Sequence, residues 1–134
     1  MPRDVSRPAT PIDCPCGGGR YVDCCGPFHA GAAAPTAEAL MRSRYSAFAV
    51  GDAAYLTATW HPDHRPDELD LADGKRWTRL EILDTGDGSP FHRTGTVTFR
   101  AAFRHRGEDY RFEEKSRFER VDGSWVYVDA EFVR

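Results

Sequence analysis

Four cysteines within a short stretch near the start of the chain carry its clearest chemical signal. They follow the pattern C-x-C-x7-C-C and are Cys14, Cys16, Cys24 and Cys25. Four soft thiolate ligands at such close range have the composition of a closed tetrahedral zinc site. The glycines at 17–19, between the two pairs, let the backbone turn sharply and bring its N–H groups near the sulfur atoms. The sequence therefore predicts a structural zinc site.

A disulfide framework and a redox site are the alternatives to zinc, since four cysteines allow three disulfide connectivities. Residues 1–13 contain no apolar run of the secretory type, so we expect a cytoplasmic protein whose thiols stay reduced. Adjacent Cys24 and Cys25 could bridge each other only through a strained ring. No strand–helix context of the thioredoxin type surrounds Cys14 and Cys16. These observations favour zinc.

The most clearly punctuated element after the cysteines is a helix over residues 37–50. Thr36 is a natural N-cap and Gly51 follows the last periodic residue. The apolar face of this helix consists of Leu40, Met41, Tyr45 and Phe48. Arg44 lies on the same face by helical periodicity. Because a lone buried charge costs several kcal/mol, Arg44 should either pair with an inward carboxylate or extend its charged end to the edge of the core.

The remaining pattern predicts an α+β fold. Two shorter helices are expected, over residues 53–60 and about 66–72, and then the hydrophobic period changes to two. The predicted strands cover residues 77–83, 94–105, 110–121 and 124–133. Helices followed by a meander of strands favour helices packed on one face of an antiparallel sheet, preceded by a small zinc knuckle.

Helical and strand periodicity together predict which side chains point into the space between helices and sheet. The candidates for a ligand pocket there are Arg44, Tyr45, Trp60, His61, Glu114, Ser116 and Asp129. In the favoured interpretation, Arg44 pairs with Glu114 or Asp129 in a buried, structural network. In the alternative, Glu114 is a pocket acid with a raised pKa, and His61 acts with Glu114 or Asp129 as an acid–base pair.

Two sequence motifs resemble known families. Cys14-Pro15-Cys16-Gly17 followed by Cys24-Cys25-Gly26 resembles the SEC-C motif, a zinc knuckle best known at the carboxyl end of the preprotein-translocase motor ATPase, where it docks protein partners. The segment Leu40-Met41-Arg42-Ser43-Arg44-Tyr45-Ser46-Ala47-Phe48, with Tyr55-Leu56 and Thr59-Trp60-His61-Pro62, resembles the YchJ family of uncharacterised bacterial proteins. The resemblance implies an SEC-C knuckle joined to a nuclear-transport-factor-2-like domain, in which the helices pack on one face of a curved, cone-like antiparallel sheet.

The knuckle departs from the family pattern at one point. The usual motif has eight residues between its second and third cysteines, whereas this chain has seven between Cys16 and Cys24. Either the loop is one residue shorter, or Cys25 takes the third-ligand position. In the second case the fourth ligand is Cys24 or His29.

Together these observations predict a flexible segment at residues 1–13, a knuckle at 14–30 and an α+β domain at 36–134 that folds without the knuckle. A net charge of −3 gives no electrostatic reason to expect nucleic acid as a partner. No window approaches the roughly 20 apolar residues of a membrane span. The resemblance favours a zinc-containing binding or adaptor protein, whose knuckle docks a protein partner and whose cone holds a ligand or peptide. The alternative is a small cavity enzyme of isomerase or hydratase type.

Overall fold

The computed structural model describes residues 11–132. The predicted flexible segment at residues 1–13 therefore lies largely outside the described residues, although Asp13 forms an antiparallel bridge with Arg20. The elements in chain order are a 3-10 turn at Tyr21–Asp23, helices α1 (Gly26–His29), α2 (Ala37–Val50) and α3 (Ala53–Ala58), and strands β1 (Arg76–Asp87), β2 (Thr94–His105), β3 (Glu108–Val121) and β4 (Ser124–Phe132).

Helix α2 begins and ends where its capping residues predict. The side chain of Thr36 accepts a hydrogen bond of 3.0 Å from the N–H of Ala39, which satisfies a donor that the first turn leaves unpaired. Gly51 ends the helix in the left-handed conformation, with φ of 83°. The predicted bounds of this helix are confirmed.

The helical prediction is too long after residue 58. Helix α3 is capped by Asp52 as expected but ends at Ala58. The helix ends there because the chain pairs with Tyr127 of β4. The carbonyl of Thr59 accepts a 2.8 Å hydrogen bond from the N–H of Tyr127, and the N–H of His61 donates a 2.7 Å hydrogen bond to the carbonyl of Tyr127. Residues 59–61 thus form backbone bonds to the sheet instead of another helical turn.

The helix predicted over residues 66–72 is wrong, because this segment has no regular structure. Asp70 accepts a 2.8 Å hydrogen bond from the N–H of Ala72. Asp73 accepts one of 3.0 Å from the N–H of Lys75. Such local side-chain bonds offer the backbone an alternative to the helix.

The four strands form one antiparallel sheet in the order β1-β2-β3-β4. Two-residue turns join the last three strands. In the second of these turns Asp122 and Gly123 both have positive φ, 53° and 84°, the conformation that matches the twist of a hairpin. With helices packed against one face of this open sheet, the predicted α+β class is confirmed.

The core lies between α2 and the sheet and continues into the knuckle. Its buried apolar residues include Leu40, Met41, Tyr45, Val97, Phe99, Phe118 and Trp125. Three of the cysteines belong to the same continuous cluster of buried side chains: Cys14, Cys16 and Cys25. Across residues 11–132, none of the helices has the length and hydropathy needed to cross a membrane.

Candidate metal centre and ligand cavity

The fold brings the sulfur atoms of all four cysteines together. Their Sγ atoms lie within 4.8 Å of one another. The Sγ atom of Cys16 is 3.5 Å from that of Cys24 and 3.7 Å from that of Cys25. A zinc–sulfur bond of about 2.3 Å in tetrahedral geometry requires sulfur–sulfur separations of roughly 3.8 Å. The donor set and its spacing therefore fit a tetrathiolate metal centre.

The loop between the cysteine pairs approaches the sulfur atoms so closely that it requires glycine. A Cβ atom placed on Gly18 would lie 2.8 Å from the Sγ atom of Cys24 and 3.3 Å from that of Cys16. Either distance is shorter than ordinary packing allows. The glycine predicted to permit a tight turn is thus also required by the proximity of the sulfurs.

The electrostatics of the cysteine cluster favour the deprotonation of one thiol and disfavour the deprotonation of a second. The thiol of Cys25 donates to Cys16, and this hydrogen bond is the largest cause that lowers the pKa of Cys16 to about 4. Burial is the largest cause that raises the pKa of Cys24 to about 12. Several thiolates at this distance repel one another, so charging the whole set requires a cation between them.

His29, the alternative fourth ligand, has both ring nitrogens engaged elsewhere. Its Nδ1 atom lies 2.6 Å from the hydroxyl oxygen of Tyr21. Its Nε2 atom donates a 2.8 Å hydrogen bond to the carbonyl oxygen of Ser43 in α2. The imidazole therefore links the knuckle to the following helix, and among the described residues the cluster of possible metal ligands consists of the four cysteines.

Further contacts join the knuckle to α2. The Sγ atom of Cys14 lies 3.3 Å from the hydroxyl oxygen of Ser46, which is fully buried. Arg42 donates a 3.3 Å hydrogen bond to the carbonyl of Cys16. One side of α2 thus packs against the cysteine cluster, while another side of the same helix lines a cavity.

That cavity lies between the helices and the concave face of the sheet and has a volume of about 520 Å³. Most of its lining is aromatic or aliphatic. The lining residues are Met41, Arg44, Tyr45, Phe48, Trp60, Lys75, Trp77, Phe99, Ala101, Phe103, Tyr110, Arg111, Phe112, Glu114, Ser116 and Tyr127. An apolar wall with a few polar groups is typical of small-molecule sites.

Arg44 is buried in this cavity but does not form the predicted ion pair. Only 4% of its surface is exposed. Its Nη1 group donates to the carbonyl of Leu56 at 2.8 Å and to the hydroxyl of Thr59 at 2.7 Å. Among the described residues, neither Glu114 nor Asp129 lies within ion-pair distance of it. The prediction of a bidentate carboxylate partner is therefore wrong.

Aromatic rings take the place of that carboxylate. The guanidinium carbon of Arg44 lies 5.0 Å from the ring centre of Trp60 and 4.7 Å from that of Tyr127. Rings at these distances stabilise a cation through their quadrupoles. Burial lowers the pKa of Arg44 to about 10, so the guanidinium remains charged at neutral pH.

Glu114 lies in the cavity, as the strand alternation predicts. Its Oε2 atom accepts a 3.0 Å hydrogen bond from the hydroxyl of Ser116. Burial is the largest cause of the raised pKa of this carboxyl group, and the bond from Ser116 and the charge of Arg44 act in the opposite direction. Glu114 is therefore a half-buried carboxylate held by one neutral donor.

Two of the predicted pocket residues do not line the cavity. Strand β4 contains a bulge at Val128, because Phe118 pairs with Tyr127 while the preceding Arg117 pairs with Asp129. The extra residue reverses the alternation and turns Asp129 to the outer face of the sheet. There Arg117 binds it through two hydrogen bonds, of 2.5 and 2.7 Å, which are the main cause of its lowered pKa.

His61 is the second of these residues. Its Nε2 atom lies 3.2 Å from a carboxylate oxygen of Glu119, away from the cavity lining. The acid–base pair of His61 with Glu114 or Asp129 is consequently not assembled in the described part of the chain. The candidates that do line the cavity are Arg44, Tyr45, Trp60, Glu114 and Ser116.

The sequence interpretation missed Tyr127 as a cavity residue. This residue packs against both Trp60 and Phe118, with ring centres 5.2 and 5.9 Å apart, and stacks under the guanidinium of Arg44. The same alternation that places Tyr127 inward was the available signal.

Comparisons with known sequences agree with this architecture. The sequence model described as YchJ, middle NTF2-like domain, matches residues 36–130. A UPF0225 protein of Streptomyces coelicolor is 66% identical over 122 residues, which cover 90% of this chain and 95% of that protein. A UPF0225 protein of Deinococcus radiodurans is 47% identical, over 94% of this chain and 98% of its own length.

Two solved structures share the fold. The solution structure of an SEC-C motif containing protein from Rhodopseudomonas palustris has a TM-score of 0.79 and 34% identity, covering 92% of this chain and all of that one. The crystal structure of an SEC-C motif containing protein from Psychrobacter arcticus has a TM-score of 0.74 and 29% identity, covering 90% of this chain and 82% of that one. The resemblance inferred from the sequence is confirmed.

Proposed function

This chain belongs to the family of the YchJ middle NTF2-like domain, and from that premise we propose that it is a zinc-containing binding and adaptor protein of the bacterial cytoplasm. The observation that carries the proposal is the convergence of four sulfur atoms within 4.8 Å. Thiolate-only sites of this size select zinc among the common divalent ions, and a closed site has a structural role. A reducing compartment keeps the thiols available for the metal.

In this proposal the knuckle docks a protein partner. Two apolar side chains at its surface support that role, since Ile12 is 81% exposed and Val22 is 55% exposed. They belong to one small unit, because the N–H of Tyr21 donates a 3.0 Å hydrogen bond to the carbonyl of Ile12. Solvent-facing apolar groups on a metal-stabilised scaffold suit a protein contact.

The cavity is the second binding element of the proposal. Its apolar walls and its volume of about 520 Å³ suit a small organic ligand or a peptide side chain. Since His61 lies outside the cavity lining, binding is favoured over acid–base catalysis.

Metal analysis tests the proposed zinc site. The purified chain should contain one zinc per molecule, and Cys16→Ser should reduce that content to near zero because the remaining three sulfurs leave the tetrahedron open. His29→Gln is the matched control and should retain zinc, since its ring nitrogens bond to Tyr21 and Ser43. Absence of zinc after reconstitution, or a native disulfide among the cysteines, would contradict the proposal.

A neutral apolar dye tests the proposed binding of a ligand in the cavity. N-phenyl-1-naphthylamine should bind the wild-type chain with increased fluorescence. Ala101→Leu should weaken that binding severalfold, because Ala101 lines the cavity and added methyl groups take up its volume. Ala102→Leu, on the opposite face of the same strand, is the control and should bind the dye as the wild type does. Equal dye affinity in both variants would show that the dye binds outside the cavity.

A further inference from the structure

Two opposite charges share the cavity without pairing to each other. Arg44 uses only its Nη1 group for hydrogen bonds, so its Nε and Nη2 groups have no acceptor in the described part of the chain. Glu114 accepts one bond at Oε2 from Ser116, and its Oε1 atom has no donor there. Both residues line the same cavity. The cavity therefore contains both a cationic group with free donors and an anionic group with a free acceptor.

Unpaired charges in a poorly solvated space favour a ligand that brings the complementary charges with it. The rings of Trp60 and Tyr127 stabilise the charge of Arg44 but leave its Nε and Nη2 donors without an acceptor, and hydrogen bonds between ionised partners are stronger than those between neutral groups. A ligand with only a carboxylate would satisfy Arg44 but place a second negative group near Glu114. A ligand with only an ammonium group would satisfy Glu114 and add positive charge beside Arg44.

The other residues that line the cavity determine which kind of side chain the ligand must have in addition to its two charged groups. Next to them the lining consists of aromatic side chains, among which are Tyr45, Phe48, Trp77, Phe99, Phe103 and Phe112. Two further cations of the lining, Lys75 and Arg111, are solvent-exposed, so water screens them and they do not decide the charge preference. The volume of about 520 Å³ accommodates a large apolar side chain.

We propose that the cavity binds a free α-amino acid with a large apolar side chain, whose carboxylate meets the Nε and Nη2 groups of Arg44 and whose ammonium group meets Glu114. This inference rests on the proposed ligand-binding function and names its ligand class. The apolar side chain lies against the aromatic wall, where its removal from water favours binding. The Arg44 fork suits a carboxylate because its donors are fixed in one plane.

A matched series of three probes tests the ligand class: L-phenylalanine, 3-phenylpropanoate, which lacks the ammonium group, and 2-phenylethylamine, which lacks the carboxylate. Titrations are followed by calorimetry and by the fluorescence of Trp60 and Trp77, which line the cavity. L-phenylalanine should bind at least tenfold more tightly than either analogue. Glu114→Gln should weaken L-phenylalanine about tenfold while leaving 3-phenylpropanoate unchanged or tighter, because it removes the negative charge and keeps the shape.

The outcomes separate this inference from the function on which it rests. If 3-phenylpropanoate or 2-phenylethylamine binds as tightly as L-phenylalanine, or if Glu114→Gln leaves the preference unchanged, the zwitterion assignment is wrong. If none of the three probes binds while N-phenyl-1-naphthylamine still does, the ligand class is wrong and the cavity remains a binding site. If the dye also fails, both proposals fall.

Discussion

Removal of the zinc proposed at the cysteine cluster should lower the melting temperature of the whole chain by about 10–20 °C. Binding of zinc at a free concentration a thousandfold above its dissociation constant stabilises the native state by about 4 kcal/mol. For a chain of 134 residues each kcal/mol corresponds to roughly 3–5 °C. The sequence alone predicts a smaller effect, in which a chelator melts only about the first thirty residues and the α+β domain stays folded.

The contacts of the knuckle favour the global effect. Cys14, Cys16 and Cys25 belong to the same buried cluster as Leu40 and Met41 of α2. Loss of order in the knuckle would expose this part of α2 and free the carbonyl of Ser43, which accepts from His29. The metal and the core should therefore unfold as one cooperative unit.

Thermal unfolding with and without chelator measures this coupling. The near-ultraviolet signal of the tryptophans reports the α+β domain, because Trp77 and Trp125 pack against its core. The Cys16→Ser variant serves as the control, since it has no complete site and its melting temperature should not respond to chelator. An unchanged tryptophan transition in the chelated wild type would mean that the two parts are independent.

Arg44→Ala should lower the free energy of unfolding by about 3–5 kcal/mol. Arg44 is 4% exposed, and its guanidinium provides two hydrogen bonds, to the carbonyl of Leu56 and the hydroxyl of Thr59. Hydrogen bonds from a charged group each contribute about 1.5–3 kcal/mol. Truncation also leaves a cavity beside the rings of Trp60 and Tyr127, which both contact the cation and also pack against each other.

Arg44→Met isolates the contribution of the charge. Because methionine fills much of the same volume and removes the desolvated cation, we expect it to cost less than half as much as alanine. Arg104→Ala on the solvent side of the sheet is the matched control and should change stability little, since the ion pair of Arg104 with Asp109 is exposed. Urea unfolding of the three variants gives the comparison. An Arg44→Ala variant as stable as Arg104→Ala would show that the buried contacts of Arg44 are not stabilising.

Local signals in the sequence determined the clustering of the cysteines, the bounds of α2 and the tight hairpins. Each of these depends on residues close together in the chain: the spacing of Cys14 and Cys16, the cap that Thr36 provides, and the dipeptide Asp122-Gly123. The hydrogen bonds of a helix cap or a hairpin turn join residues only a few positions apart, so these features form with the same geometry in different tertiary contexts. For this reason the expectations agreed with the structure.

Tertiary structure decided the composition of the cavity. The sequence alternation of β4 does not indicate the bulge at Val128. This bulge places Asp129 on the outer face of the sheet, where it pairs with Arg117. The partners of Arg44 come from α3 and β4, which reach it only when the helices close over the sheet. Register and the choice among distant partners depend on packing energies summed over the whole core, and no short stretch of sequence contains them.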